Sequence, residues 1–161
     1  MEGDYKNRII FPSYDSFGEL NYFASRSYIE GGSYKNPDFD KNIIFYENLV
    51  DYSVPITLVE GVFDSIQTPN SIPLLGKILT PKLKDRLTNK IVNVILDNDA
   101  KKDVFKICKQ LLNYSKQVNF HLLEEKDPAI LGRETMRNII KNKCKEFTFE
   151  SEILTKLNTY Y

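Results

Sequence analysis

Four short apolar runs, rich in β-branched residues, punctuate the chain from residue 56 onward: residues 56–59, 72–75, 91–96 and 118–123. Segments with helical signals separate them. Residues 64–67 begin a short one. Thr80-Pro81 opens another, with Thr at the N-cap and Pro in the first turn. Residues 100–112 are the clearest, with Val104, Ile107, Cys108, Leu111 and Leu112 at helical spacing. Strands that are almost continuously apolar and alternate with helices bury both faces of a parallel sheet. The predicted fold class is therefore α/β, with a mainly parallel four-stranded sheet flanked by helices.

The first fifty residues follow a different pattern. Residues 8–12 and 20–28 alternate and carry aromatics, and Asp15-Ser16-Phe17-Gly18 between them has the composition of a hairpin turn. Gly31-Gly32-Ser33 and Asn36-Pro37-Asp38 mark loops. This predicts a small antiparallel β unit over residues 1–52, an α/β domain over 53–130 and a helical segment over 131–161. Helices are expected over residues 133–142 and 151–157.

The 161 residues carry 22 Lys plus Arg and 22 Asp plus Glu, a formal net charge of zero. A tight, non-specific nucleic-acid binder is usually strongly basic, so contact with nucleic acid would depend on a local patch. The N-terminus is charged, with no apolar signal segment, and no apolar run reaches membrane-spanning length. The expectation is a cytoplasmic protein without a membrane partner. Two distant cysteines, Cys108 and Cys144, and a single histidine, His121, do not make a four-ligand zinc site. Both cysteines are expected as buried thiols on helices, and His121 as a structural residue of the last strand.

In parallel α/β sheets, ligands bind at the carboxyl ends of the strands. The first run ends in Glu60-Gly61-Val62-Phe63-Asp64, the third in Asp97-Asn98-Asp99, and the fourth leads to Glu124-Glu125-Lys126-Asp127-Pro128. If the first and third strands are neighbours, four carboxylates meet in a small volume. Two like charges about 4 Å apart repel by roughly 4 kcal/mol at an effective dielectric of 20. Such a cluster must raise its own pKa values or bind a cation. Hard oxygen donors favour Mg²⁺ or Mn²⁺ over zinc, and a carboxylate-held Mg²⁺ serves phosphoryl transfer. The plainer alternative is that Asp97 or Asp99 caps the helix beginning near Ala100, and that Glu60 and Asp64 are solvated loop residues.

The ordered pair Glu-Gly-x-x-Asp and Asp-x-Asp, each closing an apolar strand, resembles the Toprim signature. Upstream, Arg8-Ile9-Ile10-Phe11-Pro12, Phe23-Ala24-Ser25-Arg26 and Tyr34-Lys35-Asn36-Pro37 are similar to the N-terminal part of DnaG-type primase catalytic cores, phage members included. The resemblance covers roughly residues 7–130. It implies Glu60 as the catalytic acid, Asp97 and Asp99 as ligands of Mg²⁺ or Mn²⁺, Asp64 supporting them, and Asp127 as the first acid of an Asp-Pro-Asp element. Ala129 stands where that element has its second acid, and Ser33 where the family often has Lys.

The resemblance further implies Arg8, Arg26, Lys35 and Lys41 as contacts for template and nucleotide phosphates. Lys77, after Gly76 at a strand exit, could also reach a phosphate. The implied partners are a single-stranded DNA template, ribonucleoside triphosphates, and a replicative helicase or separate zinc-binding primase subunit. Rival expectations are a Toprim-type nuclease and a non-catalytic binding module.

Overall fold

A computed structural model describes residues 3–29, 32–124 and 126–158. Gly31 and Glu125, named above, lie outside the described residues. Strands β1 (Arg8–Tyr14) and β2 (Leu20–Ser27) pair antiparallel, from Arg8 opposite Ser27 to Tyr14 opposite Leu20. The predicted turn joins them: the Asp15 carboxylate accepts the Phe17 and Glu19 amides at 2.9 and 3.0 Å. Gly18 takes the positive φ of 83° that closes it.

The α/β part follows as β3 (Ile56–Val59), α1 (Val62–Gln67), β4 (Ser71–Pro73), α2 (Pro81–Arg86), β5 (Ile91–Val94), α3 (Lys101–Leu111), β6 (Gln117–Phe120), α4 (Pro128–Leu131), α5 (Arg133–Asn142), β7 (Lys145–Glu146) and α6 (Phe149–Asn158). The sheet runs in the order β4-β3-β5-β6-β7, parallel except for β7. It thus has five strands rather than the expected four. The fifth is anchored by Phe147, whose amide donates to the Val118 carbonyl at 2.7 Å. Its ring packs edge-on against Phe120, with centroids 5.8 Å apart.

Packing follows the two-residue period of the strands. Ile56, Leu58, Val92, Val94, Val118 and Phe120 face one layer, where Leu83 and Leu87 near α2 and Val104, Ile107 and Leu111 of α3 cover them. On the opposite face, Met136 and Ile139 of α5 pack with Ile95 and Leu123. There the alternate strand positions are polar. Ser71, Thr57, Asn93, Asn119 and Glu146 lie in register across all five strands. The β1–β2 unit docks through Tyr22 and Ala24, which pack with Phe45 and with Val62 of α1. The buried Glu47 binds Lys82 at 2.8 Å and Arg86 at 3.0 Å, tying the segment after β2 to α2.

Some boundaries shift from the sequence reading. β1 runs to Tyr14, β4 stops at Pro73 and β6 at Phe120, so His121 follows its strand. Cys108 is buried on α3, but Cys144 lies beyond the end of α5 and is only half-buried. Among the described residues, no helix is long and apolar enough to cross a membrane.

Candidate active site

β3 and β5 are direct neighbours, with Leu58 opposite Val94, so their carboxyl ends open side by side. Glu60 leaves β3, and its carbonyl accepts the Leu75 amide at 3.1 Å from the segment after β4. Gly61 comes next. A Cβ there would stand 3.1 Å from Asp64 Oδ2, a closer approach than most side chains tolerate. That oxygen accepts the Gly61 amide at 2.9 Å, and Asp64 Oδ1 accepts the Ala129 amide at 3.1 Å. The nearly buried Asp64 thus fastens the start of α1 to the start of α4. The backbone of Ala129 serves this bond, although its side chain carries no acid.

Asp97 leaves β5. Its carbonyl accepts the Ala100 amide at 3.0 Å, but α3 begins with no side-chain cap. The helix-capping alternative for Asp97 and Asp99 is not what the fold uses. Instead Asp97 Oδ1 is buried without a hydrogen-bond partner. Burial raises the Asp97 pKa to about 7, and the charges of Asp64, Glu60, Asp127 and Asp99 add to the rise. Burial also raises Glu60, which Lys77 counteracts and Asp99 and Asp64 reinforce. Asp64 is raised by burial and by Asp127, against the two amides that it accepts. Asp127 Oδ1 lies 3.4 Å from the Asn98 amide, closing the ring of loops. The five acids therefore share one electrostatic environment at the carboxyl edge of β3, β5 and β6. Among the described residues, no three carboxylate, His or Cys side chains stand in a ready ligating arrangement for a metal.

The basic candidates separate. The Arg26 guanidinium lies 5.4 Å from the Tyr34 ring centroid and 5.0 Å from that of Phe63, and its Nε donates to the Gly32 carbonyl at 3.0 Å. Tyr34 feels the charges of Asp64 and Asp97, so this stack forms a wall of the acid site. Lys77 reaches Glu60 at 3.1 Å and Asp103 at 3.5 Å. Arg8 instead donates to the Ser33 carbonyl at 2.9 Å. Lys35 pairs with Asp4 at 2.9 Å, above the Tyr5 ring. Lys41 is exposed on the rim of an apolar cleft of about 180 Å³ formed by Tyr22, Phe45, Leu75 and Ile78. Tyr34, Phe63 and Asp103 complete the site without having been singled out by the sequence. Tyr34 lay within a recognised motif, and only its bridge to Arg26 across the loop reveals its place.

No model of a protein family matches the chain, and no curated protein matches its sequence. Solved structures do match. The zinc-binding and RNA polymerase domains of Aquifex aeolicus primase superpose with a TM-score of 0.77 at 26% identity, over 98% of this chain and 45% of that one. The fold is that of a primase catalytic core. A DnaG primase catalytic domain bound to single-stranded DNA gives 0.66 at 21% identity, over 89% and 53%. The primase fragment of the bacteriophage T7 primase-helicase gives 0.61 at 15%, over 82% and 60%. The chain thus spans about half the length of the Aquifex aeolicus and DnaG primase structures that it matches.

Proposed function

We propose that the chain is a Toprim-type primase catalytic module, joining ribonucleoside triphosphates on a single-stranded DNA template to make short RNA primers in DNA replication. The carrying observation is the convergence of Glu60, Asp64, Asp97, Asp99 and Asp127 at one sheet edge, around a buried Asp97 oxygen that lacks a partner. The primase-core fold supports the same reading.

That donor set is all hard oxygen, which fits Mg²⁺ or Mn²⁺ and not zinc. Asp97 and Asp99 would hold the ion, with Asp127 beside them and Asp64 steadying the loops. The ion would neutralise charge on the α-phosphate and the leaving pyrophosphate and make the 3′-hydroxyl more acidic. The protein itself provides position and charge. Glu60 stands at the strand exit, next to the acids and facing Lys77. Asp97 must lose its proton to serve as a ligand, so at sub-saturating metal activity is expected to rise as pH passes about 7, and the rise to move to lower pH as metal is added. The Arg26 guanidinium, held against the Tyr34 and Phe63 rings, suits an incoming phosphate. Arg8, Lys35 and Lys41 would act further out along the template. A replicative helicase or a separate zinc-binding subunit would be the protein partner, in the cytoplasm of a bacterium or of a phage-infected host.

The test incubates the protein with labelled ribonucleotides, single-stranded DNA and Mn²⁺, beside Glu60→Gln and Asp97→Ala. Template-dependent oligoribonucleotides are expected from the parent protein, reduced at least a hundredfold in both variants. DNA cleavage that needs no nucleotides would replace this reading with a nuclease. DNA binding with neither product, unchanged in Asp97→Ala, would leave a non-catalytic module.

A further inference from the structure

Lys77 lies in the segment that leaves β4, where Leu75, Gly76 and Lys77 have consecutive φ values of 48°, 131° and 62°. Two of these residues carry a Cβ, and a left-handed backbone costs each of them about 1 kcal/mol. Such conformations persist only where the surroundings over-determine them. Here the lysine ammonium lies 3.1 Å from Glu60 Oε2 and 3.5 Å from Asp103 Oδ2, linking the exit of β3 to the first turn of α3. Glu60 Oε2 is buried, and the Lys77 ammonium is the group that compensates its charge. The Lys77 ammonium therefore sits on the rim of the five-carboxylate site, in direct contact with Glu60, while Arg26 stands in the aromatic wall.

We infer that Lys77 is the resident cation of the acid site: it holds Glu60 while no divalent ion is bound, and gives up that carboxylate when one binds. The inference rests on the reading of these acids as a metal site and adds how the site is kept charge-balanced beforehand. Like charges exclude one another at this range, so an ion held by Asp97 and Asp99 would repel the ammonium and draw the neighbouring Glu60 carboxylate away from it. Metal and lysine are then competitors for one oxygen. Lys77 acts here through Glu60 and is a positioning residue.

Titration calorimetry with Mn²⁺ on the full chain tests this, comparing the parent protein with Lys77→Met and Lys77→Arg. Competition predicts about fivefold tighter Mn²⁺ binding by Lys77→Met, the worth of a part-exposed ion pair, and near-parental binding by Lys77→Arg. Thermal unfolding adds a second readout. Metal-free Lys77→Met is expected to melt lower than the parent, and the gap to close at saturating Mn²⁺. If the parent binds Mn²⁺ and Lys77→Met binds it equally or more weakly, Lys77 is a plain structural clamp and the exchange is overturned. If neither binds, the metal reading falls and the exchange with it. Primer synthesis enters neither readout, so loss of the primase assignment alone would leave a distinct result.

Discussion

Asp97 pays for its position with a pKa of about 7, set first by burial and then by four neighbouring carboxylates. Its folded value lies above the unfolded one, so its contribution to stability is fully present below about pH 4 and is lost as pH rises through about 7. Asp97→Asn removes this loss. It is expected to raise the stability of the metal-free protein at pH 8 by about 1 kcal/mol, less than the full shift because the side chain is part-exposed and screened. It should also flatten the stability profile between pH 4 and 7, as read by urea unfolding. Asp64 is also raised by burial, but its removal is expected to destabilise the protein. It satisfies two amides from different elements, so Asp64→Ala is expected to cost about 2 kcal/mol by the same measurement. Residues at strand exits were legible in the sequence because a strand end is a local feature. The Arg26–Tyr34–Phe63 stack was not, because its three members come from β2, a loop and α1 and meet only after docking.

At the scale of elements, the sheet combines an apolar face with a polar row. Asn93 links that row, donating towards Thr57 Oγ1 at 3.4 Å and accepting from Asn119 at 3.0 Å. Asn93→Ala strands both partners, and a loss of about 2 kcal/mol with an unchanged urea m-value is expected. The apolar runs revealed the parallel strands, since burial on both sides demands them. They could not reveal β7, whose residues, Lys145 and Glu146, are both charged and exposed. Its pairing comes from Phe147 entering the core, a signal outside the strand itself. Glu47 gives a similar lesson. Nothing local marks it as buried, yet it joins the N-terminal unit to α2 through Lys82 and Arg86. Glu47→Ala is expected to cost about 2 kcal/mol, the partly exposed cations softening the usual penalty for a broken buried pair.

At the scale of the whole molecule, fold and site depend on one arrangement. Placing β3 beside β5, with β4 and β6 outside them, brings three loop exits onto one edge, where the charges of their acids act on one another. The unpaired Asp97 oxygen and the lysine on Glu60 are both responses to that crowding. A bound divalent ion would resolve it, and binding at pH 7 should expel about half a proton, because Asp97 is then roughly half protonated. The most direct measurement is Mn²⁺ titration calorimetry at pH 7 in buffers of different ionisation enthalpy, on the parent protein and Asp97→Ala. The parent is expected to bind with that proton release, and Asp97→Ala to lose at least tenfold in affinity and the proton as well. A parent that binds no Mn²⁺, or an Asp97→Ala variant that binds it unchanged, would contradict it.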